Sequence, residues 1–525
     1  MVHREKIKIW GAPGTGKTSY LIQIVEHELS KGIKPNEIIY SSFTKAAANE
    51  ARDRAIARFG GSREDYPYFN TQHSICYHLL GLEHGQVLSR RKLREFGMVH
   101  HYDFSNNHEE RLDTRYQEAM LQTTADYFEF FVQFAYENMY SFEEAFHKFI
   151  RQTDVPDAFS KRALHRYIEL REAYKQENKL WDFSDMILGT LQKGLIPEGI
   201  KVLILDEAQD MSRLLWALSK MWMEKVERVY LAGDPLQTLY FWSGADPELF
   251  LDFKAEEHIL RTSYRLTNQT KDYAEKIISK TKYPFPEFNS SGREGVLCRN
   301  SFESIDWHSV ANAFLLMRTR WLISKVAEEF RYRGIPYASE RGRQCPLFSS
   351  EGGAFYTLLR LLEGENILTE NLLDLIQHVR KPYIEHGAKA SIKRMENYEF
   401  RLKQLPDIGF TKEFIDSLTW SGFTDILSMN FEPEDKSYLF RVYKKYGRKA
   451  FEGEPQLTLT TIHGAKGRER DSVFVFPDMT RRVWDAFLKS KDTEALVYYV
   501  ACTRARNNLT LLLPSELYSY PLPRI

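Results

Sequence analysis

A glycine-rich segment near the start of the chain constrains the fold more than any other feature. Residues 11–18 read Gly-Ala-Pro-Gly-Thr-Gly-Lys-Thr, with a strand pattern at 6–10 before them and a helical pattern, Ser19–Ser30, after them. Glycines let backbone N–H groups curl around phosphate oxygens, and the N-terminus of the next helix favours the same negative charge. In this pattern Lys17 reaches the β- and γ-phosphates, and the Thr18 hydroxyl can bind Mg²⁺. The segment therefore predicts a nucleoside-triphosphate site.

The strand and helix patterns around this segment indicate an α/β fold. A second strand, Glu37–Tyr40, is followed by an alanine-rich helix, Ala46–Ala57. Such a β-α-β-α run is typical of a parallel sheet covered by helices. Further strand patterns occur at 201–205, 229–232, 313–317, 457–460, 473–476 and 509–513. The stretches 77–180 and 351–450 are mainly helical in pattern, so we predict two parallel-sheet domains, each with a helical insertion.

Two adjacent acids follow the strand at 201–205. Asp206 and Glu207 come directly after this apolar run, at the carboxyl edge of the predicted sheet. Taken alone, the pair could be the acidic first turn of a helix. Together with the phosphate loop, it indicates a nucleotide hydrolase, in which Asp206 holds Mg²⁺ through water and Glu207 orients or deprotonates the attacking water.

The composition excludes several other classes of protein. The 525 residues carry 72 basic and 72 acidic side chains, so a grip on nucleic acid by net charge alone is excluded. The densest basic stretch runs from Lys436 to Lys449. The four cysteines are far apart, which argues against a disulfide framework or a zinc site. No apolar run approaches about 18 residues, and the polar start is unlike a signal peptide, so we expect a cytoplasmic protein without a membrane span.

Ten segments, in order along the chain, resemble the motifs of superfamily 1 helicases of the UvrD/Rep/PcrA type. The first five are GAPGTGKT at 11–18, SFTKAAANEARDR at 42–54, NTQHSICYHLL at 70–80, WDFSDMI at 181–187 and LDEAQD at 205–210. The others are GDPLQTLYFWSGA at 233–245, LRTSYRL at 260–266, FRYRGIPY at 330–337, TTIHGAKGRERDSVFV at 460–475 and YVACTRARNNL at 499–509. The resemblance covers nearly the whole chain.

The resemblance implies two RecA-like domains, with ATP in the cleft between them and single-stranded DNA running across both. We expect 1–76 and 181–265 to form the first RecA-like domain, with 77–180 as its helical insertion. The segments 266–350 and 451–525 would form the second, and 351–450 would be a reduced helical accessory insertion. A reduced accessory insertion puts the strength of unwinding in question, but not the ATPase.

The resemblance also assigns a nucleotide site that uses ATP and Mg²⁺. The residues expected to contact the nucleotide are Gly11, Ala12, Pro13, Gly14, Thr15, Gly16, Lys17, Thr18, Ser19, Tyr264, Gly467 and Glu469. The residues expected to act in catalysis are Lys17, Asp206, Glu207, Gln237, Arg265 and Arg504, with Thr18 and Asp206 as the metal ligands. Gln237 would sense the γ-phosphate, and Arg265 and Arg504 would reach it from the second domain as arginine fingers. Tyr264 would stack on adenine, and Glu469 would contact the sugar.

The DNA track is expected to combine stacking rings with backbone contacts. The residues that match the family there are Phe43, Thr44, Thr71, His73, Tyr240, Trp242, Thr461 and His463. Stacking of a base on an aromatic ring tolerates any sequence, which suits a motor that moves along DNA. Core packing is the alternative for the rings, above all for Tyr240.

Some positions depart from the family pattern. No glutamine motif for reading adenine is found in the ten residues before Gly11, and Ser19 stands where the family has an arginine. We therefore expect weak discrimination among ATP, GTP and dATP. Ser243 replaces another expected arginine. Arg468 and Arg470 replace apolar residues, and they would either add phosphate contacts or be solvated.

These observations predict a DNA-dependent ATPase that moves along single strands, acts at single-strand/duplex junctions and separates duplex, with 3′-to-5′ polarity. We expect it to act as a monomer, and the sequence identifies no protein partner. Two alternatives stay open: a translocase that displaces proteins from DNA, and a nucleotide-gated subunit of a repair or defence complex. RNA as the track is a further alternative, since a stacking groove need not read the 2′-hydroxyl.

Overall fold

A computed structural model of the chain describes residues 5–105, 123–153, 155–284, 286–339, 345–395, 397–420, 422–428, 432–453 and 455–525. The strands are β1 (Glu5–Gly11), β2 (Ile38–Ser41), β3 (Phe69–Asn70), β4 (Val202–Leu205), β5 (Arg228–Gly233), β6 (Glu256–Leu260), β7 (Val296–Asn300), β8 (Ala313–Met317), β9 (Ala338–Ser339), β10 (Ile367–Leu368), β11 (Glu399–Phe400), β12 (Leu457–Thr461), β13 (Arg470–Val475) and β14 (Ala505–Leu512). Within these described ranges, the strands form two six-stranded sheets and one small two-stranded sheet.

Helices connect and cover the strands. In the first half of the chain they are α1 (Lys17–Ser30), α2 (Lys45–Phe59), α3 (Gln72–Leu79), α4 (Arg90–His100), α5 (Thr124–Asn138), α6 (Phe142–Gln152), α7 (Lys161–Glu177), α8 (Phe183–Lys193), α9 (Arg213–Met223), α10 (Pro247–Leu251) and α11 (Asn268–Ile278). In the second half they are α12 (Arg320–Arg333), α13 (Ser350–Leu362), α14 (Thr369–His378), α15 (Ala388–Lys393), α16 (Lys412–Ser417), α17 (Phe423–Ile426), α18 (Pro433–Tyr446), α19 (Lys449–Glu452), α20 (Arg481–Lys489) and α21 (Lys491–Cys502).

The contacts divide the chain into two compact units. The first comprises Met1–Leu297, Met479–Asn507 and Tyr520–Ile525, and the second comprises Cys298–Asp478 and Asn508–Ser519. In the first unit the sheet has the order β3-β2-β4-β5-β1-β6, and every neighbouring pair is parallel. Parallel strands bring their carboxyl ends to one edge, so the segments that follow β1, β2, β4 and β5 lie side by side.

Both faces of this first sheet are buried. The strands β2 and β4 have no exposed residue, and one core cluster contains Ile39, Leu203 and Leu205 whereas another contains Ile38 and Ile204. A parallel sheet covered on both faces reads as a continuous apolar run, which is why these strands were visible in the sequence. The edge strand β6 has three exposed polar residues and carries no such pattern.

The helical insertion of the first unit has its own aromatic core. Phe128, Phe131 and Phe149 are each at most 2% exposed within it. A buried ion pair joins two of its helices, with Arg171 Nε 2.5 Å from Glu129 Oε1. Burying a bonded charge pair fixes the relative position of the two elements, because moving either one would leave a charge without its partner.

The end of α5 also packs against the first sheet unit. The Glu137 carboxylate accepts a hydrogen bond from the Ser212 hydroxyl at the start of α9, and both residues are 1% exposed. Gly244 has a φ of +86°, and a Cβ there would lie 3.1 Å from Nδ2 of Asn138. Gly244 therefore permits both a left-handed backbone and the close approach of α5 to the turn Phe241–Ser243.

The second unit is built around β8. This strand pairs in parallel with β12 and with β13, and β12 pairs in parallel with β9, in a sheet of order β7-β14-β13-β8-β12-β9. Residues of the predicted accessory insertion share one core with this sheet: Leu358 and Leu439 belong to the same buried cluster as Leu315 and Leu459. The described part of the insertion therefore packs onto the sheet and shares its core.

The basic stretch of the second unit is partly neutralised. Arg448 lies 3.2 Å from Glu363 and 2.7 Å from Glu452, and it also pairs with Glu365. The Arg441 guanidinium donates to the carbonyl oxygen of Arg331. Two of the charges that make this stretch basic are therefore engaged within the protein.

The structure confirms the predicted α/β class, and each of its two main sheets has six strands among the described residues. Every strand pattern identified in the sequence coincides with a strand, and β8 has the predicted bounds of 313–317. In the described part of 351–450, the regular elements are helices apart from the antiparallel pair β10–β11, which the sequence did not indicate. Strands β3, β6, β7 and β9 were not predicted either. In the described part of the chain, no helix is long and apolar enough to cross a membrane.

Candidate active site

The phosphate loop lies between β1 and α1, as expected. The hydroxyl of Thr15 donates to the carbonyl of Ala12 across 2.9 Å, and Lys17 Nζ donates to the carbonyl of Gly11 across 2.8 Å. Lys17 is the first residue of α1 and is 8% exposed. Its ammonium therefore lies over the loop, at the positive end of a fourteen-residue helix.

A segment 250 residues away in the sequence packs directly on this loop. The Ser263 hydroxyl donates to the carbonyl of Pro13 across 2.6 Å, and the Tyr264 N–H donates to the carbonyl of Gly14 across 2.9 Å. Gly14 has a φ of +76°, and a Cβ at this position would lie 2.3 Å from Cβ of Arg265. Glycine at residue 14 is therefore required both by the backbone and by Arg265.

Tyr264 and Ser19 lie at the solvent-exposed side of the same region. The Tyr264 side chain is 72% exposed, which leaves its ring available to a planar ligand. Ser19 is an exposed residue in the first turn of α1. Sequence analysis identified both positions, and their assignment to the adenine end of a nucleotide stays a prediction.

Oxygen ligands suited to Mg²⁺ meet beside the loop. The Thr18 hydroxyl lies 3.3 Å from Oδ2 of Asp206, and the Tyr40 hydroxyl donates to the same oxygen across 3.1 Å. Mg²⁺ prefers one or two protein oxygens and completes its octahedron with waters and substrate phosphates. A hydroxyl and a carboxylate at the edge of a phosphate loop fit that requirement. Tyr40 was not predicted, and it fixes the carboxylate from β2.

Burial perturbs the acid pair. Asp206 is 4% exposed; this burial and the neighbouring charge of Glu207 raise the pKa of Asp206 to about 6, although Lys17 opposes the shift. The Glu207 N–H donates to Oδ1 of Asp206 across 2.9 Å. Glu207 has a φ of +54°, which is uncommon outside glycine and marks a backbone that its surroundings hold in place.

The γ-phosphate sensor predicted at Gln237 lies in a chain of hydrogen bonds. Its Nε2 donates to Oδ2 of Asp234 across 2.7 Å, and its Oε1 accepts from Nη2 of Arg504 across 3.0 Å. Asp234 in turn accepts a backbone hydrogen bond from Leu236. Burial raises the pKa of Asp234. Gln237 is thus fixed at both ends of its amide.

The two predicted arginine fingers converge on one residue. Nη1 of Arg265 donates to the carbonyl of Thr503 across 3.4 Å, and Nη2 of Arg504 donates to the Thr503 hydroxyl across 3.1 Å. Arg504 is 1% exposed, and its Nε donates to the carbonyl of Val500. Both arginines lie in the first compact unit, together with the phosphate loop and the acid pair.

Several predicted DNA contacts lie on the same unit. The rings of Phe43 and Tyr240 stack on each other, with centroids 4.9 Å apart and an interplanar angle of 21°. Both residues are half-buried. Trp242 belongs to the turn Phe241–Ser243, but its side chain lies outside the described part of the structure. The stack unites two of the predicted aromatic residues from separate motifs.

The predicted backbone-contact residues cap helices. The Thr44 hydroxyl accepts from the Ala47 N–H at the start of α2, and the Thr71 hydroxyl accepts from the Ser74 N–H at the start of α3. Thr71 and His73 are both buried, and the His73 ring packs edge-on against Phe183. Capping explains these two threonines without a ligand, so their contact with DNA stays a prediction.

A pocket connects the acid pair with this region. Its walls include Ser42, Phe43, Thr71, His73, Asp206 and Glu207. The pocket therefore joins the ends of β2 and β4 to the start of α3. Residues predicted for DNA binding and for hydrolysis line one cavity within the first unit.

The remaining predicted residues lie on the second unit. Thr461 ends β12, and its hydroxyl accepts from the Gly464 N–H across 3.0 Å. His463 and Glu469 are half-buried, whereas Gly467 is exposed and has a φ of +80°. Their roles toward nucleotide and DNA stay predictions.

Arg468 and Arg470 both lie over the ring of Phe314, at 5.0 and 4.8 Å from its centroid. Burial and the charge of Arg470 lower the pKa of Arg468. The two cations are therefore held near each other by an aromatic face.

Sequence reasoning missed residues that support the site. Gln209 donates to Glu207, Asp234 accepts from Gln237, and Ser263 anchors the phosphate loop. Each lies inside a motif segment in which a different residue was assigned the functional role. Gln209 and Asp234 could have been suspected because they are polar and follow apolar strands, and buried polar side chains need hydrogen-bond partners.

Comparisons with known proteins identify similar sequences along most of the chain. The model of the UvrD/REP helicase N-terminal domain matches residues 2–258, and the model of the UvrD-like helicase C-terminal domain matches residues 423–516. A probable DNA helicase II homolog of Mycoplasma genitalium is 21% identical, covering 95% of this chain and 82% of that protein. The ATP-dependent DNA helicase PcrA of Bacillus subtilis is 24% identical, covering 54% of this chain and 40% of that protein.

A probable DNA helicase of Mycoplasma pneumoniae is 25% identical, covering 63% of this chain and 62% of that protein. Among solved structures, one titled "The structure of PRRSV helicase" aligns with a TM-score of 0.35 and 10% identity, covering 99% of this chain and 55% of that chain.

Proposed function

Because this chain belongs to the UvrD/Rep family of superfamily 1 DNA helicases, we propose that it is an ATP-driven motor that moves 3′ to 5′ along single-stranded DNA and separates duplex. The observation that carries the proposal is the set of hydrogen bonds that links Thr18, Asp206 and Glu207 on one side with Gln237 and Arg504 on the other. A chain that only bound nucleotide would not need an acid pair, a sensor and a buried arginine together.

Triphosphate binding is assigned to the loop of residues 11–18. Its backbone N–H groups and the N-terminus of α1 would surround the phosphates. Lys17 would exchange its hydrogen bond with Gly11 for one with a phosphate oxygen. Thr18 and Asp206 would hold Mg²⁺, which neutralises charge on the β- and γ-phosphates when bound.

Hydrolysis is assigned to Glu207. The oxygen of a water molecule bonds to the γ-phosphorus while the bond from that phosphorus to the β–γ bridging oxygen breaks, and the electron pair stays on the ADP oxygen. Glu207 accepts the proton that the attacking water loses. Gln237, Arg265 and Arg504 would stabilise the charge that spreads over the transferred phosphoryl oxygens.

The DNA track is assigned to the surface next to this site. The stacked pair of Phe43 and Tyr240 offers aromatic faces of the kind on which bases stack. Phe43 and Glu207 line one pocket, and this closeness supports stimulation of the ATPase by DNA. The 3′-to-5′ direction rests on the resemblance of the motif segments alone.

One observation favours a second candidate, a translocase that displaces proteins but unwinds weakly. Arg448 of the basic stretch is bound by Glu363, Glu365 and Glu452, so it is engaged and does not offer a free cation to a duplex. Weak duplex binding by the accessory insertion would leave movement along single strands intact.

The test is strand separation on two matched duplexes, one with a 3′ single-stranded tail and one with a 5′ tail. We expect ATP-dependent opening of the 3′-tailed duplex alone, and loss of opening in Lys17→Ala and Glu207→Gln. Opening of the 5′-tailed duplex alone would overturn the direction. ATPase stimulated by single strands without opening of either duplex would support the translocase.

A further inference from the structure

Gln209 lies between the acid that activates water and the segment that carries the sensor. It is in the turn Ala208–Asp210 after β4 and is 0% exposed. Its Nε2 donates to Oε2 of Glu207 across 2.5 Å, and its Oε1 accepts from the Asp234 N–H across 3.0 Å. One side-chain amide therefore bridges the ends of β4 and β5.

The amide can adopt only one orientation here. The Asp234 N–H must be accepted by an oxygen, so the Gln209 NH₂ group necessarily faces Glu207. Its second N–H points toward the carboxylate of Asp210, 3.5 Å away. A rotated amide would place its oxygen against the Glu207 carboxylate and its NH₂ group against a backbone N–H. Both contacts would be repulsive.

The surroundings also prevent the side chain from moving. A Cβ on Gly233 would lie 2.8 Å from Oε1 of Gln209, so the glycine leaves the space that the amide fills. The left-handed backbone of Glu207, with φ +54°, is held by its N–H bond to Asp206 at one end and by Gln209 at its carboxylate. An uncommon conformation persists where neighbouring groups determine it on several sides.

We propose that Gln209 is a positioning residue for hydrolysis. It holds the Glu207 carboxylate where it can activate water, and through Asp234 it ties that position to Gln237 and Arg504. The proposal rests on the proposed function, because it assumes that Glu207 is the base. In this proposal Gln209 acts through Glu207, without direct contact with the nucleotide or the attacking water.

Through Gln209, the position of the segment that carries Gln237 can also affect the Glu207 carboxylate. Gln237 and Arg504 are expected to contact the γ-phosphate, and Asp234 accepts the Gln237 amide while donating its own N–H to Gln209. A shift of the segment 234–237 toward the γ-phosphate would therefore move Gln209, which positions the Glu207 carboxylate. Hydrogen bonds linked in a chain strengthen one another, so the loss of one weakens the positioning by the others.

The test compares Gln209→Met, Gln209→Glu and wild type in ATPase assays with saturating single-stranded DNA. Met keeps the volume but removes both hydrogen bonds, and Glu keeps the size but replaces the donor with a repelling oxygen. We expect kcat to fall about 10- to 100-fold in both variants, while KM for ATP changes less than about threefold, because positioning of the base acts in the transition state.

A double-mutant cycle separates positioning from general damage. In a Glu207→Gln background, measured by single-turnover hydrolysis, Gln209→Met should have no further effect if Gln209 acts through Glu207. The control is Thr190→Val, which removes a buried hydrogen bond to Met186 in the same unit and should leave kcat unchanged. Thermal melting shows whether each variant is folded.

Two results would overturn the proposal. One is a kcat within about threefold of wild type in folded Gln209→Glu, and the other is a multiplicative loss in the double variant. If Gln209→Met fails to fold, Gln209→Glu and its cycle with Glu207→Gln decide alone. Failure of the proposed function is distinct, because wild type would then show no ATPase stimulated by DNA.

Discussion

Arg504 donates a hydrogen bond of 3.0 Å from Nη2 to Oε1 of Gln237, although 267 residues separate them in the chain. The same guanidinium donates from Nε to the carbonyl of Val500. A planar group with several fixed donors can satisfy both acceptors at once. The Arg504 side chain thus fixes the position of Gln237 relative to the end of α21.

Replacement of Arg504 by lysine should keep the positive charge but lose the guanidinium that bonds Gln237 and Val500 together. We expect Arg504→Lys to lower kcat of the DNA-stimulated ATPase by about a thousandfold, the lower end of what arginine fingers contribute. Steady-state ATP hydrolysis measures this, with circular dichroism melting as the check on folding. Arg506→Lys, two residues further and exposed, is the matched control and should hydrolyse ATP like wild type. An unchanged kcat in Arg504→Lys would remove Arg504 from the catalytic set.

A side chain at residue 14 should disrupt the phosphate loop. In Gly14→Ala the new Cβ would lie 2.3 Å from Cβ of Arg265, and the φ of +76° would strain the backbone. We expect at least about a tenfold loss of affinity for a fluorescent ATP analogue, since about 1.4 kcal/mol of lost binding energy corresponds to tenfold. Gly85→Ala is the control, because a Cβ added at Gly85 would meet no other group within 4 Å. Equal affinity in both variants would show that Arg265 can move away from the loop.

The stacked rings of Phe43 and Tyr240 should contribute to DNA affinity. Loss of one stacked base costs about 1–3 kcal/mol, so Phe43→Ala should weaken single-strand binding by roughly 5- to 150-fold. Tyr240→Ala should give a similar loss, and the double variant should lose less than the product, because each ring supports the other. Fluorescence anisotropy with labelled oligonucleotides measures the three dissociation constants. Wild-type affinity in both single variants would mean that the rings serve core packing.

Asp206 should make stability depend on pH in the direction opposite to an ordinary carboxyl. Its pKa is raised to about 6, so in the folded state ionisation is disfavoured, and its stabilising contribution is present at low pH and is lost as pH rises toward 6. Asp206→Asn should therefore match wild type near pH 4 and exceed it in stability above pH 6, while hydrolysing no ATP. Urea unfolding between pH 4 and 8 in buffer without divalent cations measures the difference.

Asp65 offers a control of opposite sign. Its pKa is lowered by hydrogen bonds from Ser62, so its contribution is present above the unfolded pKa and is lost as pH falls. Asp65→Asn should lower stability at neutral pH and approach wild type in acid. A parallel pH dependence of the two variants would contradict the assignment for Asp206.

Much of the fold could be predicted because the central strands are apolar on both faces. The strands β4 and β8 are continuous buried runs, and such runs are visible in a sequence. The edge strand β6 has the exposed residues Glu256, Glu257 and His258, and β3 and β9 have two residues each, so none of them carries a pattern. Only the tertiary context makes these segments strands.

The residues of the candidate site also fall into those that the sequence could identify and those that it could not. Lys17, Asp206 and Gln237 stand at fixed places in motif segments, so spacing was enough to identify them. The supporting residues Tyr40 and Gln209 could not be found by spacing, because their importance lies in which oxygen they reach across the sheet edge. Such pairings between neighbouring strands depend on strand order, and the sequence does not state that order.

The contact of α5 with the first sheet unit limits how modular the helical insertion is. An insertion held only by its two chain crossings could be exchanged for a short linker, or for a different domain, without disturbing its host. Here removal of 77–180 would uncover the Ser212 hydroxyl and the face of Gly244, both now covered by Glu137 and Asn138. Grafting the motor onto another accessory domain would therefore require a replacement for these two residues as well as matched chain ends.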